Sequence, residues 1–190
     1  EQTPNPESLK FVTNRMLFKG TADFREEELA REWSQLATEL FDLPYVTGVY
    51  ICNNFVTVSK EMNYDWADIM LPLKQFIKTY IEEGNEILKE GFEEAMAEIE
   101  AERGASYEYS GDEVEIVNKI KDLIDTYVRP AVEMDGGNIA FKSYDEGIVT
   151  VILQGSCSGC PSSTVTLKAG IEGMLKRMIP QVKDVVSERG

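Results

Sequence analysis

Residues 135–161 read DGGNIAFKSYDEGIVTVILQGSCSGCP, and their spacing sets the architecture of the C-terminal half. Asp135-Gly136-Gly137 is a turn that needs backbone freedom. Ile139–Tyr144 and Ile148–Leu153 are two strands joined through Asp145-Glu146-Gly147, a hairpin signal. The loop Gly155-Ser156-Cys157-Ser158-Gly159-Cys160 follows, with Pro161 at the favoured first position of a new helix. That helix carries Val165, Leu167, Ile171, Met174, Leu175 and Met178 and stops before Pro180; both methionines are read as core. Val182–Ser187 closes the sheet.

Upstream, Val114, Val117, Ile120, Leu123, Ile124, Tyr127 and Val128 define an amphipathic helix that ends near Arg129-Pro130. Before it, between Glu82 and Glu115, thirteen acidic residues stand against Lys89 and Arg103 alone. Such a segment is expected to be a solvated linker, with an acidic helix over Glu86–Arg103 and a flexible join over Gly104–Gly111.

The N-terminal part reads as a separate unit. Leu9–Phe18 is a strand, and Glu26–Phe41 is a helix carrying Leu29, Trp33, Leu36 and Leu40. Tyr45–Cys52 and Phe55–Lys60 are strands about a tight Asn53-Asn54 turn. Asp65 caps a long helix with an apolar stripe from Trp66 to Ile81, which Pro72 is expected to kink or break. The fold class is therefore α+β. Two small α/β domains (1–84 and 112–190), each a short sheet with a hairpin packed against helices, are joined by an acidic linker (85–111).

Charge and composition restrict function. Across 190 residues the net charge is −15, from 34 acidic and 19 basic side chains, which disfavours a nucleic-acid partner. No stretch approaches the ~18 apolar residues of a membrane span. With no histidine, imidazole ligands and histidine bases are excluded. Three cysteines and no basic n-region before an apolar stretch point to a reducing compartment.

The pair Cys157-x-x-Cys160 carries the chemistry. Two cysteines three apart on a glycine-containing loop can aim both sulfurs at one centre, and the following helix start favours thiolate. Thiolates ligate iron–sulfur clusters and zinc alike. A four-thiolate site needs twice what this pair supplies, and Cys52 lies on a core strand of the other domain, where a lone cysteine is inert. The economical solution is a symmetric dimer, each copy giving Cys157 and Cys160 to a shared centre. A thiol–disulfide oxidoreductase would use the same pair within one chain, but the loop follows a hairpin rather than a strand in a βαβ pattern. A zinc-bridged structural module is the other alternative. Ser162, Ser163 and Thr164 cap the helix or hydrogen-bond a cluster sulfur, and Lys168 lacks a catalytic setting.

Arg129-Pro130, Asp135-Gly136-Gly137 and Gly155-Ser156-Cys157-Ser158-Gly159-Cys160-Pro161-Ser162-Ser163 resemble the C-terminal domain of NifU-like (Nfu-type) proteins. Thr3-Pro4-Asn5-Pro6-Glu7-Ser8-Leu9-Lys10-Phe11 and Phe55-Val56-Thr57-Val58-Ser59-Lys60 resemble the N-terminal domain that accompanies it in one branch. The resemblance implies a scaffold and carrier rather than an enzyme. It would hold a 4Fe–4S cluster between two copies through Cys157 and Cys160 and pass it to apo iron–sulfur proteins, with upstream assembly proteins as donors. The family occurs in bacteria and organelles. Without a transit segment a bacterial cytoplasm is expected, with the mitochondrial matrix or a plastid if the source is eukaryotic.

Overall fold

The computed structural model describes residues 1–104, 107–158 and 161–189. The chain divides into two compact units, Glu1–Glu93 and Glu94–Gly190.

The first unit is built on a four-stranded antiparallel sheet of order β1-β4-β3-β2, with β1 Ser8–Val12, β2 Phe18–Phe24, β3 Val46–Asn53 and β4 Phe55–Lys60. Cys52 pairs with Phe55, so the β3–β4 connection is the tight turn read from Asn53-Asn54, and Asn53 takes φ +48° to close it. The single strand expected over Leu9–Phe18 is instead two. The Thr13 hydroxyl donates to the Arg15 carbonyl (2.7 Å), and the chain turns before β2 begins. The helix expected over Glu26–Phe41 is likewise broken, into α1 Glu27–Trp33 and α2 Gln35–Phe41. Ser34 between them is extended (φ −143°, ψ 112°), and its Oγ accepts the Ala37 N–H, an N-cap inside an unbroken apolar period.

Helix α3, Trp66–Glu82, starts on the Asp65 cap, whose Oδ1 accepts the Ala67 N–H at 2.9 Å. It runs through Pro72 without a break. The ring removes one helical hydrogen bond, while Ile69, Leu73, Ile77, Tyr80 and Ile81 keep one continuous buried face.

The expected solvated linker is not solvated at its start. Tyr80 Oη donates to the Glu86 carbonyl (2.8 Å), Ser34 Oγ to the Ile87 carbonyl (2.7 Å) and the Lys89 N–H to the Trp33 carbonyl (2.9 Å). Phe92 is 4% exposed, its ring within 5.8–6.0 Å of those of Phe18, Phe24 and Trp33. One aromatic side chain burying its surface outweighs the charge of its neighbours. Helix α4, Phe92–Gly104, begins there.

The second unit has a three-stranded sheet of order β5-β6-β7: β5 Gly137–Asp145, β6 Ile148–Gly155 and β7 Asp184–Arg189. β5 and β6 form the expected hairpin, with Glu146 (φ +46°) and Gly147 (φ +94°) as its two-residue turn. β7 pairs parallel to β6, and α7, Pro161–Met178, connects them. Ile139, Val149, Val151, Leu153 and Val185 share a core with Val117, Ile120 and Leu123 of α5 (Asp112–Leu123) and Ile171 and Leu175 of α7.

Four expectations change here. The helix does not end at Arg129-Pro130: a π-helical turn, Ile124–Val128, leads into α6, Arg129–Met134, with Pro130 in its first turn, where a missing N–H costs least. Tyr127, read on the apolar face, is 65% exposed. Met178 is 45% exposed at the helix end, whereas Met174 packs on the core. Tyr109, placed in the flexible join, also packs on this core, and its Oη accepts the Tyr144 N–H at 2.8 Å.

Candidate functional site

The cysteine loop leaves β6 through Gly155, whose φ of +63° is disfavoured for a residue with a side chain. The Ser158 N–H donates to the Gly155 carbonyl (3.1 Å), closing a tight turn around Ser156 and Cys157. Ser156 fastens this turn to the one before β5: its N–H donates to the Gly136 carbonyl (3.2 Å) and its Oγ to the Asp135 carbonyl (2.5 Å). Gly136 itself sits at φ +81°, ending α6 with its N–H on the Glu133 carbonyl (3.1 Å).

These contacts explain Asp135-Gly136-Gly137 more fully than a bare turn does. Gly137 is the first residue of β5 and pairs with Gly155. A Cβ there would stand 2.9 Å from Cys157 Sγ and 2.6 Å from the Gln154 carbonyl oxygen. The absent side chain is the cradle in which the Cys157 sulfur rests. Cys157 is 6% exposed and belongs to the core, with Ser156 Oγ 3.8 Å from its sulfur. Beside it, Asn138 donates from Nδ2 to Gln154 Oε1 (3.0 Å), and its buried Oδ1 has no hydrogen-bond partner among the described residues.

Cys160 lies outside the described residues, as do the side chains of Ser162, Ser163 and Thr164. Cys52 is buried on β3 of the other unit. Lys168 reaches Asp184 at 3.7 Å, an exposed ion pair. Ser156 is the residue the sequence reading passed over. Its signal was the pairing of two glycine turns on either side of one hairpin, which brings their backbones together.

The strand before the cysteine loop, the helix after it and the parallel strand β7 form a βαβ crossover. This removes the argument that set the oxidoreductase aside because the loop follows a hairpin: β6 is both a hairpin strand and the first strand of the crossover.

The fold and the loop define a two-unit α+β protein with a thiol pair between a strand and a helix start. The family described as "NifU-like domain" matches residues 120–186, and "Scaffold protein Nfu/NifU N terminal" matches residues 1–84. The chain belongs to the NifU-like (Nfu-type) family of iron–sulfur cluster scaffold proteins, whose members are scaffolds and carriers rather than catalysts. It is 42% identical over 187 residues to the NFU1 iron-sulfur cluster scaffold homolog, mitochondrial, of Drosophila willistoni, covering 97% of this chain and 61% of that one. The Drosophila grimshawi protein of the same name is 42% identical, over 97% of this chain and 59% of its own length. This chain thus spans about three fifths of the curated relatives it matches. A solution NMR structure of a NifU-like protein from Saccharomyces cerevisiae aligns with a TM-score of 0.43 at 23% identity, over 47% of this chain and 82% of that one.

These relatives correct the expected location. They are named as mitochondrial proteins of insects, which overturns the bacterial cytoplasm. Among the described residues no helix is long and apolar enough to cross a membrane.

Proposed function

We propose that this chain carries a 4Fe–4S cluster as cargo, held between two copies by Cys157 and Cys160 of each, and delivers it to apo-proteins after receiving it from upstream assembly proteins. The observation that carries the reading is the clasped loop. Ser156 binds two carbonyls of the Asp135-Gly136 turn, and Gly137 leaves room for the Cys157 sulfur against the strand end. A rigid strand end and a fastened loop hold the Cys157 backbone in a defined place, so that only its side chain has to turn for the thiol to become a ligand.

Ligand supply favours a shared site. With no histidine and with Cys52 buried in the other unit, Cys157 and Cys160 are two thiolates where a cluster takes four. A second copy completes the set without any change of residue type. Transfer needs no oxidant or reductant. At each step one iron–thiolate bond to Cys157 or Cys160 breaks as one to a recipient thiolate forms, and the proton leaving the recipient thiol balances the one regained here. Because Cys157 is almost wholly buried, loading also requires its sulfur to turn away from Gly137 toward the partner copy. We extend to this chain the mitochondrial location in its relatives' names.

Anaerobic reconstitution tests the reading, with iron, sulfide and zinc measured per chain alongside native mass. About four irons and four sulfides per two chains are expected. A cluster-bearing monomer overturns the shared site. The βαβ crossover keeps the oxidoreductase as a second reading: a colourless protein whose Cys157–Cys160 disulfide cycles reversibly would establish it. Stoichiometric zinc without sulfide would establish a structural module.

A further inference from the structure

Among the described residues of the second unit, the three most exposed large apolar side chains are Met134 (77%), Val165 (68%) and Tyr127 (65%). All three lie on the helices that flank the cysteine loop. Tyr127 and Met134 belong to the helical run that ends at Asp135-Gly136, and Val165 to the second turn of α7, which starts after Cys160. One exposed apolar residue is ordinary; a group of them around one loop marks a contact.

The run has two apolar faces. Ile124, Val128 and Val132, four apart, are buried in the core. The π-helical turn keeps that spacing and carries Tyr127 out of the core. On the outer face Tyr127, Pro130, Ala131 and Met134 follow one another at helical neighbour spacing, all exposed. They make a stripe about 10 Å long. It holds no charged side chain, in a chain where 28% of residues are charged; Asp125 and Arg129 pair with each other beside it at 2.7 Å.

Topology places this stripe at the cluster end of the unit. β5 begins at Gly137, opposite Gly155 where β6 ends. The Ser156 hydroxyl is bonded to the carbonyl of Asp135, the residue after Met134. α7 starts from the same end of the sheet. For two copies to share one cluster, the second must bring its own Cys157 and Cys160 within a cluster's width of the first pair. It cannot do so without covering surface beside the loop. Each copy carries a net charge of −15, so the copies repel, and an uncharged apolar stripe is where close approach costs least. Four side chains fall short of the about 800 Å² per partner of a standard interface. The stripe therefore assists the cluster in holding two copies together and does not replace it.

We propose that the stripe Tyr127, Pro130, Ala131 and Met134, with Val165 across the cysteine loop, packs against a second copy of this chain in the cluster-bound form. The proposal rests on the two-copy reading of the cluster site and names the protein surface that completes it. Two-fold symmetry presents the same patch on both copies, so one substitution alters the contact twice.

The test is sedimentation velocity of the anaerobically reconstituted full chain over a dilution series, comparing wild type with Tyr127→Lys, Ala131→Lys and Met178→Lys. Met178 is 45% exposed at the far end of α7 and serves as the control. Each lysine makes the chain less negative, so general repulsion alone predicts tighter association in all three variants. Burial of the stripe predicts the reverse for two of them. Tyr127→Lys and Ala131→Lys should dissociate at about tenfold higher concentration than wild type or more, while Met178→Lys should not. All three sites are exposed, and wild-type melting temperatures of the apo variants confirm folding. A wild-type protein that carries its cluster as a monomer overturns the two-copy reading, and this proposal with it. A wild-type dimer whose stripe variants dissociate as wild type does, or no more readily than Met178→Lys, overturns this proposal alone. Wild-type association with slower cluster transfer to an apo-protein also overturns it, by making a recipient the occupant of the stripe.

Discussion

Gly137 and the Sγ of Cys157 share a space that has no room for a methyl group. A Cβ at residue 137 would lie 2.9 Å from the sulfur, 3.2 Å from the Cys157 nitrogen and 2.6 Å from the Gln154 carbonyl oxygen. Two of those three atoms are backbone, so the conflict cannot be relieved by rotating a side chain. Gly137→Ala is expected to destabilise the second unit by roughly 1–3 kcal/mol and to displace the cysteine loop. Denaturant unfolding gives the first quantity; iron and sulfide retained after anaerobic reconstitution give the second. Wild-type stability together with wild-type cluster content would show that the cradle has no such role.

The cysteines should divide sharply. Cys157→Ala or Cys160→Ala leaves a two-copy site with two thiolates and is expected to abolish stable cluster binding. Cys52→Ala, on a buried strand of the first unit, should keep nearly all of it. Iron and sulfide per folded chain decide this; loss of the cluster in a folded Cys52→Ala variant would move part of the site to the first unit.

Phe92 should behave as a core residue despite its acidic surroundings. Its ring meets those of Phe18, Phe24 and Trp33, and Phe92→Ala is expected to cost the first unit about 3 kcal/mol. Both tryptophans, Trp33 and Trp66, lie in that unit, so urea unfolding followed by tryptophan fluorescence reads it selectively. A loss below about 0.5 kcal/mol would return the segment to a solvated linker.

Alkaline pH should weaken the second unit through its tyrosines. Burial raises the phenol of Tyr109 above its ordinary 10.0, partly offset by the Tyr144 N–H it accepts, and burial also raises Tyr144. A folded-state value above the unfolded one means that the stabilisation is complete below about pH 10. It is then lost as pH climbs through the raised folded values, because the unfolded chain ionises first. Urea unfolding at pH 9 and pH 11, followed by circular dichroism, should show a steeper loss in the wild type than in Tyr109→Phe/Tyr144→Phe. Parallel losses in the two proteins would rule the mechanism out.

Where the sequence reading and the structure part, the cause is contact over distance. Ser34 sits at an ordinary helical position in the apolar period of Glu26–Phe41, and the unbroken period masks its capping residue type. Its hydroxyl also donates to the Ile87 carbonyl, 53 residues away, and that contact fastens the break. Phe92 and Tyr109 were hidden by their neighbours' charge, because an average over a window conceals one buried ring. The Ser156 clasp joins carbonyls 20 and 21 residues earlier, through a hairpin whose register had first to be known.

By itself the sequence determined the turns at Asn53-Asn54 and within Asp145-Glu146-Gly147, the Asp65 cap, the amphipathic helices and the position of Cys157 and Cys160 before a helix start. All of these follow from local rules: which residues tolerate positive φ, which side chains satisfy a helix end, and how often apolar residues recur. Tertiary structure alone decided that β7 returns parallel to β6, that Phe92 and Tyr109 leave the acidic segment for a core, and that the Cys157 sulfur rests in the space Gly137 vacates. Those outcomes depend on which surfaces meet once the chain is compact, and shape complementarity between distant residues is not written in the spacing of near ones.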